Sequence, residues 1–403
     1  MMNDIKRIML FRWPESICND LFGALNEMLQ RELTGKGIAY TYIDCRKPDD
    51  QLASDVLEAL SNAKYDAALG FNVHGMHRLQ LDNGENAFDH YGVPFFNWIV
   101  DPPMDHFEGM FSTCKDYHVI CIDKNHKGLI ERFFPDVKTA HFLPLGGLDT
   151  HKDTVDLDRR SYDISFCAGF MKETPKEMLE RIKSFSEPMH SLTLYMIDAM
   201  MSDRSLDTED AFYRVMDAMG YDIMNMQADE LRSYYRMAHG AHLFMRYYVR
   251  YETVKTLVQS PLRLHLFGDG WREYLGMENR YSRTEFHPSV SFKETSEVFS
   301  DSKIVLNVLP WFKNGTHDRI GSGMLHRAAV LTDSNKYIES MPEDILYSFD
   351  LDKVAELPRR ITDILADSDK LQQTANRGCQ YAREHLSWKA VTSGLLKIIG
   401  DVK

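Results

Sequence analysis

Short apolar runs alternate with stretches of helical periodicity through most of the chain. Arg7–Arg12 (Arg-Ile-Met-Leu-Phe-Arg) reads as a buried strand. A helix follows, with Leu21, Phe22, Leu25, Met28 and Leu29 on its apolar face and Ser16 or Asn19 as its cap. Ala39–Tyr42 reads as the next strand, and Val56–Leu60 sits in the next helix. Further apolar runs lie at Asp66–Phe71, Pro94–Val100, His118–Ile122 and Ala140–Leu143. Strands separated by helices predict crossover units, and hence a parallel sheet covered on both faces.

The polar stretch His151–Arg160 has the composition of a linker, and Tyr162–Cys167 begins a second series. From Pro175 to about Ser260 the pattern is helical; a stripe through Leu231, Tyr234, Met237, Leu243, Tyr247 and Val254 reads as packing. Alternation resumes with a strand at Leu262–Phe267, a helix at Thr295–Ser300, a strand at Lys303–Val308, a helix at Ile320–His326 and a strand at Ala328–Leu331. Asp352–Leu365, Lys370–His385 and Trp388–Ile399 read as terminal helices. The expected class is α/β, with two Rossmann-like domains facing across a cleft. Residues 1–150 form the N-terminal domain and residues 160–385 the C-terminal one, with a helical insertion at about 175–260; a terminal helix at 386–403 packs back on the N-terminal domain.

Composition narrows the classes. Of 403 residues, 47 are Lys or Arg and 60 are Asp or Glu, a net charge of −13. Such a chain lacks the cationic surplus of a general nucleic-acid binder. Six cysteines are scattered with no C-x-x-C pair, which predicts reduced thiols and a cytoplasmic setting. No apolar run approaches the ~20 residues of a membrane span.

Ligands of open parallel sheets bind beyond the carboxyl ends of the strands, so residues just after strands carry the chemistry. After Lys303–Val308 comes the turn Asn314-Gly315-Thr316-His317-Asp318-Arg319. Thr316 as N-cap would leave first-turn N–H groups free, and Arg319 and His317 would add donors, a setting suited to a diphosphate. The alternative is an ordinary capped helix with Asp318 and Arg319 paired on its surface. Asp101, ahead of Pro102 and Pro103, is a candidate general base or else a turn cap. His74 is a candidate base or orienting group or else a structural histidine. The loop Trp13-Pro14-Glu15-Ser16 faces the same edge as these two.

The block Ser302–Glu339 resembles the C-terminal domain of group 1-type glycosyltransferases of the GT-B fold, particularly the branch of spore-maturation (CgeB-like) proteins. The matching residues are Asp301-Ser302-Lys303-Ile304-Val305-Leu306-Asn307-Val308, Asn314 to Arg319, and Ala328 to Asp333, together with Leu266 to Trp271 and Asn376-Arg377-Gly378. The resemblance implies transfer of a sugar, hexosyl or related, from a nucleoside diphosphate to an acceptor hydroxyl of a protein, polysaccharide or small molecule. It implies donor contacts from Lys172, Gly268, Asp269, Gly270, the turn Asn314–Arg319, Asp333 and Ser334, with no metal and no cofactor beyond the donor. Asn314 and Ser322 stand where related retaining enzymes carry two glutamates, which leaves the stereochemical outcome open.

Two other classes compete. One is a GT-B-shaped protein that binds without catalysis. The other is a dinucleotide-dependent oxidoreductase, against which the first strand leads into Arg12-Trp13-Pro14-Glu15 and no G-x-G-x-x-G.

Overall fold

Among the described residues, twelve strands form two six-stranded sheets in which every ladder is parallel. The computed structural model describes residues 5–12, 20–149, 155–170, 173–275 and 283–402. The chain divides into two compact units, residues 147–290 with 294–384 in one, and residues 1–146 with 291–293 and 385–403 in the other.

In the N-terminal unit the strands are β1 (Arg7–Arg12), β2 (Ala39–Asp44), β3 (Ala67–Phe71), β4 (Phe95–Ile99), β5 (Tyr117–Cys121) and β6 (Thr139–Phe142), ordered β2-β1-β3-β4-β5-β6. Crossovers through Leu21–Gly35, Asp49–Asn62 and Lys124–Phe133 bury both faces of the central strands, so β3, β4 and β5 are continuously buried rather than alternating, with Asn97 and His118 as buried polar positions. Phe11, Phe88 and Phe95 form one aromatic cluster, with ring centroids 4.9 to 6.4 Å apart. The final helix, Trp388–Val402, belongs to this unit and buries Trp388, Val391, Leu395 and Ile399. The Trp388 ring lies 6.3 Å from Phe71 and 6.2 Å from Trp98, and a Cβ at Gly146 would come within 2.8 Å of its indole.

The C-terminal unit has β7 (Tyr162–Cys167), β8 (Leu264–Phe267), β9 (Glu285–His287), β10 (Ser302–Asn307), β11 (Ala329–Asp333) and β12 (Tyr347–Phe349), ordered β12-β11-β10-β7-β8-β9. Between β7 and β8 run helices Pro175–Ile182, Met189–Ser202, Thr208–Ala218, Ala228–Met237 and His239–Val258. From β7 the chain builds outward through β8 and β9, and then returns through β10 to build the other way. The order therefore reverses between β7 and β10, and that crevice is the switch point where ligands of such sheets bind.

Three local readings change. The first helix begins after Asp20, which is left-handed (φ 62°) and makes no side-chain cap; Ser16 and Asn19 lie outside the described residues. Strands β9 and β12 are absent from the sequence reading because three residues are too few to show alternation. Arg160, read as the end of a polar linker, is buried: Nη1 donates to the carbonyls of Phe299 (3.2 Å) and Ser302 (2.8 Å), and Nη2 to that of His326 (3.0 Å). Its guanidinium takes up the carbonyls of Phe299 and His326, left open where helices end, and that of Ser302 at the start of β10, which a flexible linker residue would not do.

Cys45, Cys114, Cys121, Cys167 and Cys379 are free thiols. Among the described residues, no helix is long and apolar enough to cross a membrane.

Candidate functional site

At the switch point of the C-terminal unit, β10 ends in Asn307 and β11 in Asp333, both buried. The helix Asp318–Leu325 follows β10 and returns Arg319 to the strand ends, where Nη1 donates to Asn307 Oδ1 over 2.7 Å. The Asn307 amide donates in turn to Thr332 Oγ1 at 2.9 Å, and Asp333 Oδ1 accepts from the Leu309 N–H at 2.8 Å. Arg319 also lies over the Phe166 ring of β7, its guanidinium carbon 5.5 Å from the centroid.

Two further arginines come from the long helix His239–Val258. Arg250 sits 6.0 Å from the Phe166 centroid and 5.0 Å from that of Trp311, and Arg246 is 4.4 Å from Trp311. Stacking on aromatic faces holds these cations in place without neutralising them. Arg250 is only 9% exposed, and its Nε has no hydrogen-bond partner. Among the described residues, neither Arg250 nor Arg319 has a carboxylate oxygen within ion-pair distance; Arg319 meets the amide of Asn307 and the Phe166 ring, and Arg250 the Phe166 and Trp311 rings. Burial, then the neighbouring Arg246 and Arg319, lower the Arg250 pKa to about 9. Burial raises the Asp333 carboxyl to about 6 despite the Leu309 N–H, Lys313 and Arg250. Two buried guanidiniums thus share this region with two buried carboxylates, Asp318 and Asp333, and the partly buried Arg246 adds a further cation. Arg246 and Arg250 were missed because their helix reads as packing; the signal was two arginines four apart, on one face of an otherwise apolar and aromatic segment.

The N-cap of Asp318–Leu325 is His317, not Thr316. His317 Nδ1 lies 3.3 Å from the Arg319 N–H and 2.8 Å from Asp318 Oδ1, so it can cap the helix as an acceptor or donate to the carboxylate, one role at a time. Burial alone would raise the Asp318 carboxyl, but His317 and Arg319 outweigh it and hold it below the ordinary value. With the Arg319 N–H on the cap and the Ile320 N–H on the His317 carbonyl, this helix start offers fewer open amides than a Thr316 cap would leave. Thr316 is buried, and its Oγ1 has no partner. Asp318 and Arg319 are buried too, so the surface-pair alternative does not hold.

Other sequence candidates fall around this edge. Gly268 (φ 153°) follows β8 where a Cβ would meet the Ala168 carbonyl at 2.4 Å, so the end of β7 and the end of β8 touch backbone to backbone. Gly270 (φ 86°) completes the turn, and the Asp269 carbonyl accepts from the Phe170 N–H at 2.8 Å. The Asp269 carboxylate accepts from the Ser289 N–H at 3.4 Å. Asn314 and Gly315 lead into the turn, and Asn335 Nδ2 donates to the Gly315 carbonyl at 3.1 Å. Ser334 Oγ donates to Glu339 Oε1 at 2.9 Å, within its own turn. Lys172 lies outside the described residues, as does the loop Trp13–Ser16. Ser322 is fully buried: its Oγ donates to the Asp318 carbonyl (2.7 Å) and accepts from the Leu148 N–H (2.8 Å).

In the N-terminal unit, Asn72 (φ 46°) and Asn97 staple the ends of β3 and β4. Asn72 Oδ1 accepts from the Val100 N–H at 2.9 Å, and Asn97 Oδ1 from the Val73 N–H at 2.8 Å. Asn72 Nδ2 donates to Asp101 Oδ2 at 3.2 Å, and the Nε2 of buried His106 lies 3.5 Å from the same oxygen. The His74 ring is 5.3 Å from that of His106. Burial, then His106 and Arg78, lower the His74 pKa, which favours the neutral imidazole. Asp101 and His74 therefore meet in one cluster. Asn72 and His106 complete it, although both carry no role in the sequence reading; the signal was a histidine in the segment that begins with Asp101.

Residues 250–397 match the family described as glycosyl transferase-like. No curated protein matches the chain significantly in sequence. Solved structures match along nearly its whole length. Anabaena HepE, solved with UDP and glucose, is 10% identical with a TM-score of 0.54, covering 98% of this chain and all of its own. An alpha-glucosyltransferase solved with UDP is 8% identical with a TM-score of 0.57, over 98% of this chain and all of its own. Sucrose-phosphate synthase from Thermosynechococcus elongatus is 10% identical with a TM-score of 0.51, over 97% of each chain. The chain has the GT-B fold, and residues 250–397 are similar in sequence to the glycosyl transferase-like family.

Proposed function

We propose that this protein moves a sugar from a nucleoside diphosphate to an acceptor hydroxyl, with Arg250 and Arg319 holding the diphosphate. One observation carries the reading: two buried guanidiniums without carboxylate partners, and a third beside them, collect at the switch point of the C-terminal sheet. A diphosphate supplies the missing anion. As the glycosidic bond breaks, negative charge grows on the departing phosphate oxygen, and fixed cations in a dry site stabilise that charge more than water can. Gly268 and Gly270 let backbone approach the nucleotide, and Thr316 Oγ1 and His317 add donors. UDP sugars are the first donors to try, since HepE and the alpha-glucosyltransferase were solved with UDP.

Asp101, oriented by Asn72 and with His106 Nε2 3.5 Å away, takes the proton of the acceptor hydroxyl as its oxygen bonds to the sugar carbon. His74 is the alternative neutral base. The likeness to spore-maturation proteins makes a protein side chain one acceptor class to include.

The test is a melting-temperature panel of UDP, GDP, ADP, CMP and TDP sugars, followed by donor hydrolysis on the hit. A shift that Arg250→Met abolishes, together with release of free sugar, supports the reading. A shift without hydrolysis or transfer to any acceptor supports the binding-only alternative, which the absence of carboxylates at Asn314 and Ser322 favours. No shift with any nucleotide overturns both.

A further inference from the structure

Strands β8 and β9 pair with His265 opposite Glu285 and Phe267 opposite His287. Alternation along a strand puts these four side chains on one face of the sheet. His265 Nδ1 lies 3.1 Å from His287 Nε2 and 3.8 Å from Glu285 Oε2, and one ligand atom from each residue falls within 4.8 Å of the others. We propose that His265, Glu285 and His287 bind a divalent transition-metal ion of the zinc type, with water in the remaining position, and that the ion clips the edge strand β9 to β8.

Donors about 2.0–2.1 Å from a tetrahedral ion sit roughly 3.3 Å from one another. Two of the separations, 3.1 and 3.8 Å, lie within about half an ångström of that spacing, and the third, between His287 and Glu285, is within 4.8 Å, so rotation of the Glu285 and His287 side chains closes the site. Two imidazole nitrogens and one carboxylate oxygen suit zinc, cobalt, nickel or copper rather than magnesium or calcium, which take oxygen ligands. Arg263 Nε and Nη2 hold Glu285 Oε1 at 3.3 and 3.1 Å, leaving Oε2 toward the histidines. A partner that fixes one carboxylate oxygen orients the other for the ion.

The rings are walled by aromatics. Tyr162 lies 4.5 Å from His265, and Phe267 stacks on His287 at 4.2 Å with an interplanar angle of 8°. His265 is 1% exposed and its Nε2 has no partner, so Nδ1 is the engaged nitrogen. None of the three residues has a role in the donor or acceptor chemistry. The ion is structural: β9 is three residues long and, among the described residues, pairs on one side only, and the His287 carbonyl accepts from the Gly268 N–H at 3.3 Å.

The test uses the full-length protein without a histidine tag, stripped with a chelator and titrated with Zn²⁺, Co²⁺ or Mg²⁺. Expected are about one retained zinc per chain after desalting, a higher melting temperature with Zn²⁺ but not Mg²⁺, and the visible absorption of tetrahedral cobalt. His287→Gln and Glu285→Gln, at less buried positions than His265, fold with wild-type circular dichroism and lose the retained equivalent. Failure of the wild type to retain zinc overturns the proposal. So does retention by both variants, which would place the ion on other histidines. A nucleotide shift unaffected in these variants separates this site from the donor site.

Discussion

Arg319 Nη1 and Asn307 Oδ1 meet at 2.7 Å, tying the first turn of a helix to the last residue of the strand before it. The same asparagine donates to Thr332, so one amide aligns the ends of β10 and β11 around a buried cation. A guanidinium oriented in this way is positioned before any ligand arrives.

Replacing Arg319 by Gln should therefore cost both binding and stability. The Asn307 oxygen loses a charged donor while buried, at about 1–3 kcal/mol. Donor turnover should fall roughly 10²- to 10³-fold, the usual effect of removing one donor to a developing anion. Urea unfolding and donor hydrolysis measure the two effects separately; unchanged hydrolysis would remove Arg319 from the reaction.

Asp333 predicts an unusual pH response. Its folded pKa of about 6 exceeds the ordinary 3.8, so between those values the folded state binds more protons than the unfolded one. Stability then falls as pH rises through this window, by about 3 kcal/mol in total, and the loss is complete above pH 6. Asp333→Asn keeps an oxygen for the Leu309 N–H and should flatten that fall. Chemical unfolding of both proteins from pH 4 to 7 checks it, and parallel curves would count against a raised carboxyl.

Ser322, one of two positions where the sequence resemblance leads one to expect a glutamate, is fully buried and hydrogen-bonded. Ser322→Ala strands the Leu148 N–H and should lower stability by about 1–3 kcal/mol with donor binding retained. Ser322→Glu forces a longer charged chain into a fully buried site and should be worse than Ala. Melting temperatures of the two variants decide the order.

Asp101→Asn should leave the nucleotide-induced melting shift intact while lowering transfer roughly 10²- to 10⁴-fold. The Asn72 amide is then left facing a group that no longer carries charge. If transfer survives in Asp101→Asn and falls in His74→Gln, the base is the histidine.

Strand positions with strong apolar runs were legible: Tyr162–Cys167 is found with the bounds its sequence suggests, and Arg7–Arg12 likewise. The turn Asn314–Arg319 was legible as the connection between β10 and its helix, but not the residue that caps it, because threonine and histidine can both accept from a first-turn N–H. Arg246 and Arg250 were hidden for a physical reason. Their partners Trp311 and Phe166 lie far along the chain, and cation–aromatic stacking leaves no local pattern. His106 was hidden likewise, since its relation to Asp101 depends on how the 3₁₀ segment Pro103–Met110 turns back.

Trp388 wedges beside Phe71 and Trp98, yet it leaves the ribosome only after the whole C-terminal unit has been made. During synthesis the first sheet must wait with an oily face uncovered, a state that chaperones recognise and that invites clumping. A nascent chain halted before its last helix would thus be the form most in need of protection, though all six of its first strands have already emerged.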